Sequence, residues 1–226
     1  MGATGSFPID LVLLGMVAAF LVLRLRGILG KRTGFERPPM PQQPPAVPPV
    51  PGHGPIVEGR AEAVPSPSGV AVIPDPATQA GQALAAMRGI DRSFEPAGFL
   101  AGAEKAFRMI VASFAAGDRT TLRRLLADET YGAFEHAITA REAAGHTQVS
   151  EVKSIETMTI EAAALRGSVA DVSIRIVSDQ VSLTRDANGL VVVGAEAVTE
   201  ITDLWTFERD LRQSDPTWRL VAARSA

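Results

Sequence analysis

Residues 170–176 read ADVSIRI, with Ala170, Val172, Ile174 and Ile176 separated in turn by Asp171, Ser173 and Arg175. Successive side chains of a strand point to opposite faces, so this run is a strand with one dry face and one wet face. Upstream of His146 the apolar period is different. Phe99, Leu100, Ala103, Phe107, Ile110, Val111 and Phe114 recur at helical spacing, opposite Glu104, Lys105 and Arg108. The change of period from 3.6 to 2 near His146 divides the region into helices first and strands second. That order predicts an α+β domain, with helices packed on one face of a curved antiparallel sheet.

The helical half holds four stretches. Ala80, Ala83, Leu84, Met87 and Ile90 predict a short helix over 77–90, ended by the break Phe94-Glu95-Pro96-Ala97-Gly98. Pro96 opens the second helix, where a missing N–H costs nothing, and Gly117 closes it. Asp118 is placed to cap a third helix through Leu122, Leu125 and Leu126, and Asp128 a fourth through Tyr131, Phe134, Ile138 and Arg141 to about Gly145. In the stranded half, residues 149–163 alternate imperfectly, with Glu156, Met158, Ile160 and Ala162 on one side. Asp186-Ala187-Asn188-Gly189 is a turn. Trp205 and Phe207 share a face, Trp218, Leu220 and Ala222 share another, and Ser214-Asp215-Pro216 turns between them. Phe99, Phe107, Ile110, Phe114, Trp205, Phe207 and Trp218 are the expected core or pocket wall.

At the other end, Phe7–Leu23 is apolar apart from Asp10 and runs into Arg24, Arg26, Lys31, Arg32 and Arg37, with no Lys or Arg before it. A cleaved secretory signal carries its positive charge ahead of the apolar run. This segment therefore reads as an uncleaved transmembrane helix, its basic flank held on the cytoplasmic side. A span needs roughly 17–25 residues, which the run meets when Arg24 and Arg26 extend their heads toward the phosphates. Phe7, Leu11, Leu14, Val17, Phe20 and Leu23 would face lipid. Arg24, Arg26, Lys31 and Arg32 would be drawn to anionic phospholipid. Residues 1–37 are thus read as a membrane anchor. Residues 38–77 hold thirteen of the sixteen prolines and read as an extended spacer, and 78–226 as the folded domain.

The chain has no cysteine and a formal net charge of −3. The first excludes thiol chemistry and cysteine-ligated zinc, and the second argues against nucleic acid as a partner. His136 and His146 have no third histidine near them, and Glu156 and Asp171 alternate with apolar neighbours as a solvated face would. No phosphate-cradling glycine loop is present. No catalytic residue, metal ligand or cofactor is expected, and the domain reads as a non-enzymatic binding module.

Several separated motifs carry a resemblance. FLAGAEKAFRMIVASFAAGDRTTLRRLL (99–126), FEHAITAREAAG (134–145), DLWTFERD (203–210) and TWRLVAA (217–223) resemble the TIM-forty-four-like domain family. That domain ends a subunit of the mitochondrial inner-membrane protein translocase. The anchor, the basic RLRGILGKRTGFE and the Pro-rich spacer look like alphaproteobacterial members. The resemblance implies a cone-shaped, nuclear-transport-factor-two-like fold with an apolar pocket between helices and sheet. It implies docking on a bacterial inner membrane from the cytoplasmic side. Scaffold partners from protein translocation, chaperones or membrane-protein handling are implied too. The mitochondrial motor-scaffold region has no counterpart in this proline spacer. In the family, helices corresponding to 77–90 contribute to membrane recruitment, so Leu84, Met87 and Ile90 read either as a docking face or as a lid over the domain's own pocket. Two other readings stay open: a ribosome-associated or envelope structural component, since a mitochondrial ribosomal protein shares the domain, and a small-molecule or enzymatic pocket.

Overall fold

The computed structural model describes residues 69–225. Strand β1 (Val70–Val72) precedes four helices, α1 (Gln79–Ile90), α2 (Pro96–Ala116), α3 (Arg119–Leu125) and α4 (Asp128–Ala143). Four strands follow: β2 (Thr147–Arg166), β3 (Val169–Arg185), β4 (Val191–Asp210) and β5 (Arg219–Ser225). They form one curved sheet in the order β1-β2-β3-β4-β5. The α+β architecture is the one the change of period predicts. The anchor residues Phe7 to Arg32, and the spacer up to residue 68, lie outside the described residues. No helix among the described residues is long and apolar enough to cross a membrane.

One contiguous core joins the two halves. Leu84 and Met87 of α1, Leu100, Phe107 and Ile110 of α2, and Ile138 of α4 meet Met158, Ile160, Val172, Ile174, Ile176, Trp205 and Phe207 of the sheet. The helix ends follow local chemistry. Thr78 caps α1 by accepting from the Gly81 N–H at 3.0 Å, and Asp118 caps α3 by accepting from the Thr121 N–H at 3.0 Å. Gly117 ends α2 with φ +72, and the Asp118 N–H returns to the Ser113 carbonyl at 2.8 Å. Only glycine takes that left-handed step at low cost. The joint between α3 and α4 is fastened to β5 by the Ala127 N–H donating to the Leu220 carbonyl at 3.0 Å.

Four sequence expectations are corrected. Asp128 is not a cap: Ala127 occupies that position without a side-chain bond, and Asp128 sits in the first turn of α4, paired with Arg123 at 3.1 Å. Its charge still suits the positive end of the helix. Glu156 and Ala162 do not share a face with Met158 and Ile160. Register shifts at 152–154, 155–157 and 160–162 each add a residue, so the inward positions run Val152, Ile155, Met158, Ile160, Ala163, Leu165. Every such bulge reverses which parity faces the core. For the same reason Ala222 is exposed although Leu220 is buried, the shift falling at Val221. Finally, the sheet is not wholly antiparallel. Val70–Val72 pairs parallel with Thr157–Thr159, at an edge where the neighbouring prolines cost no ladder bonds.

Candidate functional site

A groove of about 570 Å³ lies between the start of α2, the end of β4 and the β4–β5 loop. Its floor is aromatic. Trp218 meets Phe99 edge-on at 4.8 Å between ring centroids and Phe94 at 5.8 Å, while Phe99 meets Phe207 edge-on at 6.1 Å. Ala103, Ala106 and Met109 extend this apolar surface along α2, with Lys105 on the rim. Gly98 and Gly102 leave the α2 wall low, and of the floor rings Trp218 is half-exposed while Phe94, Phe99 and Phe207 are buried.

One cation holds both walls. Arg209 donates to Asp91 at 3.1 Å, just after α1, and to the Asp215 carbonyl at 3.2 Å, in the loop that delivers Trp218. Both members of the Arg209–Asp91 pair are largely buried. The Ser93 hydroxyl and N–H donate to Asp91, and with Arg209 they hold its carboxyl below the usual carboxylate range. The Thr217 N–H donates to Asp215 at 2.9 Å, closing a turn that fixes the approach to Trp218. Glu95 is drawn aside by Arg88 at 2.6 Å.

The structure divides the expected pocket residues. Phe99, Phe207 and Trp218 line the groove. Phe107, Ile110 and Trp205 lie beneath it in the core, and Phe114 is half-buried at the far end of α2, edge-on to Phe134 at 5.0 Å. Leu84 and Met87 are buried against the core, with Ile90 partly so, and α1 runs over β2. None of the three lines the groove, whose lip is formed instead by the residues just after α1. His136 is exposed on α4, Glu156 is exposed, and Asp171 pairs with Arg166 at 2.6 Å.

Sequence reasoning missed Arg209, Asp91, Phe94 and Met109. A signal for Arg209 was present: it follows Trp205 and Phe207 at the same inward parity, and a charge there requires a buried partner. The partner stands 118 residues away and could not be named. Among the described residues no cluster of His, Asp and Glu could hold a metal, and no buried side-chain nitrogen or oxygen lacks a partner. What the groove offers is apolar, aromatic contact with a charged rim, which is the chemistry of binding.

A family model described as the Tim44-like domain matches residues 80–225. No curated protein matches the chain in sequence. Among solved structures, the chain is similar to the intermembrane space region of the chloroplast protein ARC6. The likeness covers 56% of this chain and 95% of that one, at 12% identity and a TM-score of 0.40.

Proposed function

The chain belongs to the Tim44-like domain family, and from that premise we propose that it is a membrane-anchored, non-enzymatic binding and scaffold protein. Its domain stands on the cytoplasmic face of a bacterial inner membrane and serves protein translocation or membrane-protein handling. Members of the family are, in general, non-catalytic scaffolds associated with membranes and translocation. The observation that carries the reading is an apolar groove whose aromatic floor of Phe94, Phe99 and Phe207 is buried beneath a half-exposed Trp218, walled by side chains whose polar groups already bond to one another. Such a floor holds an apolar segment without transforming it. The one-sided positive flank after Phe7–Leu23 supplies the orientation.

A photoreactive residue at Met109, on the groove rim, tests this in native membranes. Cross-links to translocation, chaperone or membrane-protein partners are expected. Cross-links to ribosomal proteins alone would favour the structural-component reading instead.

A further inference from the structure

The far end of β4 carries an open sheet edge. Strand β5 pairs with β4 only from Asp203 to Glu208, and Ser225 stands opposite Asp203. From Val191 to Thr202, twelve residues, β4 pairs with β3 on one side and with no strand among the described residues on the other. The segment is exposed over most of its length, including Val191, Val192 and Val198, which is 54% accessible. An edge of this kind is a template for another extended chain.

The residues along the edge say which chain fits. Ser154, Asp179 and Glu200 lie in one row across β2, β3 and β4. Asp179 accepts from the Ser154 hydroxyl at 3.1 Å, and Glu200 stands directly opposite it. Like charges facing each other across a ladder are destabilising, and no ion pair among the described residues relieves either carboxylate. No described residue occupies the next position in the row, one strand beyond Glu200. Glu196, by contrast, is already engaged by Arg185, so the uncompensated charge lies in the Asp179–Glu200 row. Ile201 and Thr199, half-buried, turn toward the opposite face from Glu200.

We propose that the edge Val191–Thr202 of β4 accepts a short extended segment of a partner protein, alternating basic with apolar or β-branched residues. Its Lys or Arg completes the row at Glu200, and its intervening side chains cover Ile201 and Thr199. A second copy of this chain is disfavoured, because edge-to-edge pairing would bring two such carboxylate rows together. The register irregularity around Glu196–Val198 limits pairing to about four residues on either side of it. Gly194 at φ +78 lets β4 approach Ser182 there, where a Cβ would come within 2.2 Å of its carbonyl oxygen.

The test uses the full chain in detergent micelles and a capped peptide of about eight residues alternating valine with lysine. Hydrogen exchange should show new protection confined to amides within Val191–Thr202. Glu200→Gln should weaken binding about fivefold and Glu200→Lys further, and a valine–glutamate peptide should bind at least about tenfold more weakly. The exposed Glu200 tolerates either change, and Glu200→Gln alone suffices if Glu200→Lys fails to fold. The proposal is overturned if the peptide binds without protecting β4, or fails to bind, or if both variants bind it unchanged. Protection of these amides that grows with protein concentration and needs no peptide would identify the edge as a self-interface and overturn it equally. The groove lies at the Phe207–Arg209 end of the strand, so cross-linking from Met109 reads separately.

Discussion

Arg209 makes the groove a single object, because the α1–α2 connection at Asp91 and the β4–β5 loop at Asp215 are both hydrogen-bonded to its guanidinium. Removing the charge from its partner leaves a cation largely out of water with one ligand fewer. Asp91→Asn is therefore expected to cost about 2 kcal/mol of stability at neutral pH, measured by urea unfolding. The pH dependence has a definite sign. Bonds from Ser93, with Arg209 adding to them, lower the folded pKa of Asp91, so the unfolded chain takes up the proton first. The stabilisation is present above the unfolded value of about 3.9 and is lost as pH falls through the lower folded value. The gap between wild type and Asp91→Asn should accordingly shrink below about pH 4, and a gap that widens there would refute this assignment. Trp218 is a different case. Its indole packs on Phe94 and Phe99 yet is only half-buried, so Trp218→Ala should cost about 2 kcal/mol, below the roughly 3–5 of a fully buried ring.

At the scale of elements, α1 is the one whose role the sequence left double. Leu84 and Met87 are 4% and 0% accessible, both turned into the core above β2. A helix that swung into a headgroup layer would have to expose both and leave a void over Met158. Met87→Ala is therefore expected to cost about 2–4 kcal/mol. Amide protection over Leu84–Ile90 should be the same with and without anionic liposomes. Loss of protection on liposome addition would restore the docking reading. The helices were legible because their period survives from end to end: Phe99 to Phe114 never breaks step. The clean strand 170–176 was legible for the same reason. Strand β2 was not, because three bulges reverse its parity and nothing in its composition marks where they fall. Strand β1 was hidden by the prolines that flank it in sequence, Pro67 and Pro74, which argue against a central strand but permit a short parallel edge. The groove was half-legible: Phe99, Phe207 and Trp218 announce themselves as large apolar groups, but which of seven such residues stays open depends on how the β4–β5 loop closes over α2.

At the scale of the whole molecule, the proposed membrane attachment and the proposed ligand binding are assigned to different parts of the chain. The apolar face of α1 is buried, and no helix among the described residues could span a bilayer. Phe7–Leu23 with its following cations is then the segment expected to hold the protein in the membrane. Between it and β1 lie eleven prolines, a composition expected to give a semi-rigid spacer of about 3.1 Å per residue where it is polyproline-like. The two ends should be separable. The intact chain is expected to stay in the membrane pellet after alkaline carbonate washing. A protease site introduced within 44–51 and cut from the cytoplasmic side should release the fragment containing 69–225 in soluble, cooperatively folded form. In intact cells the C-terminus should resist added protease if, as proposed, the cations following the apolar run hold it on the cytoplasmic side. Extraction of the uncut chain by carbonate would mean that Phe7–Leu23 lies on the membrane and does not cross it. A cut fragment that stayed in the pellet would place a second membrane contact on the domain itself, and α1 would be the first element to re-examine.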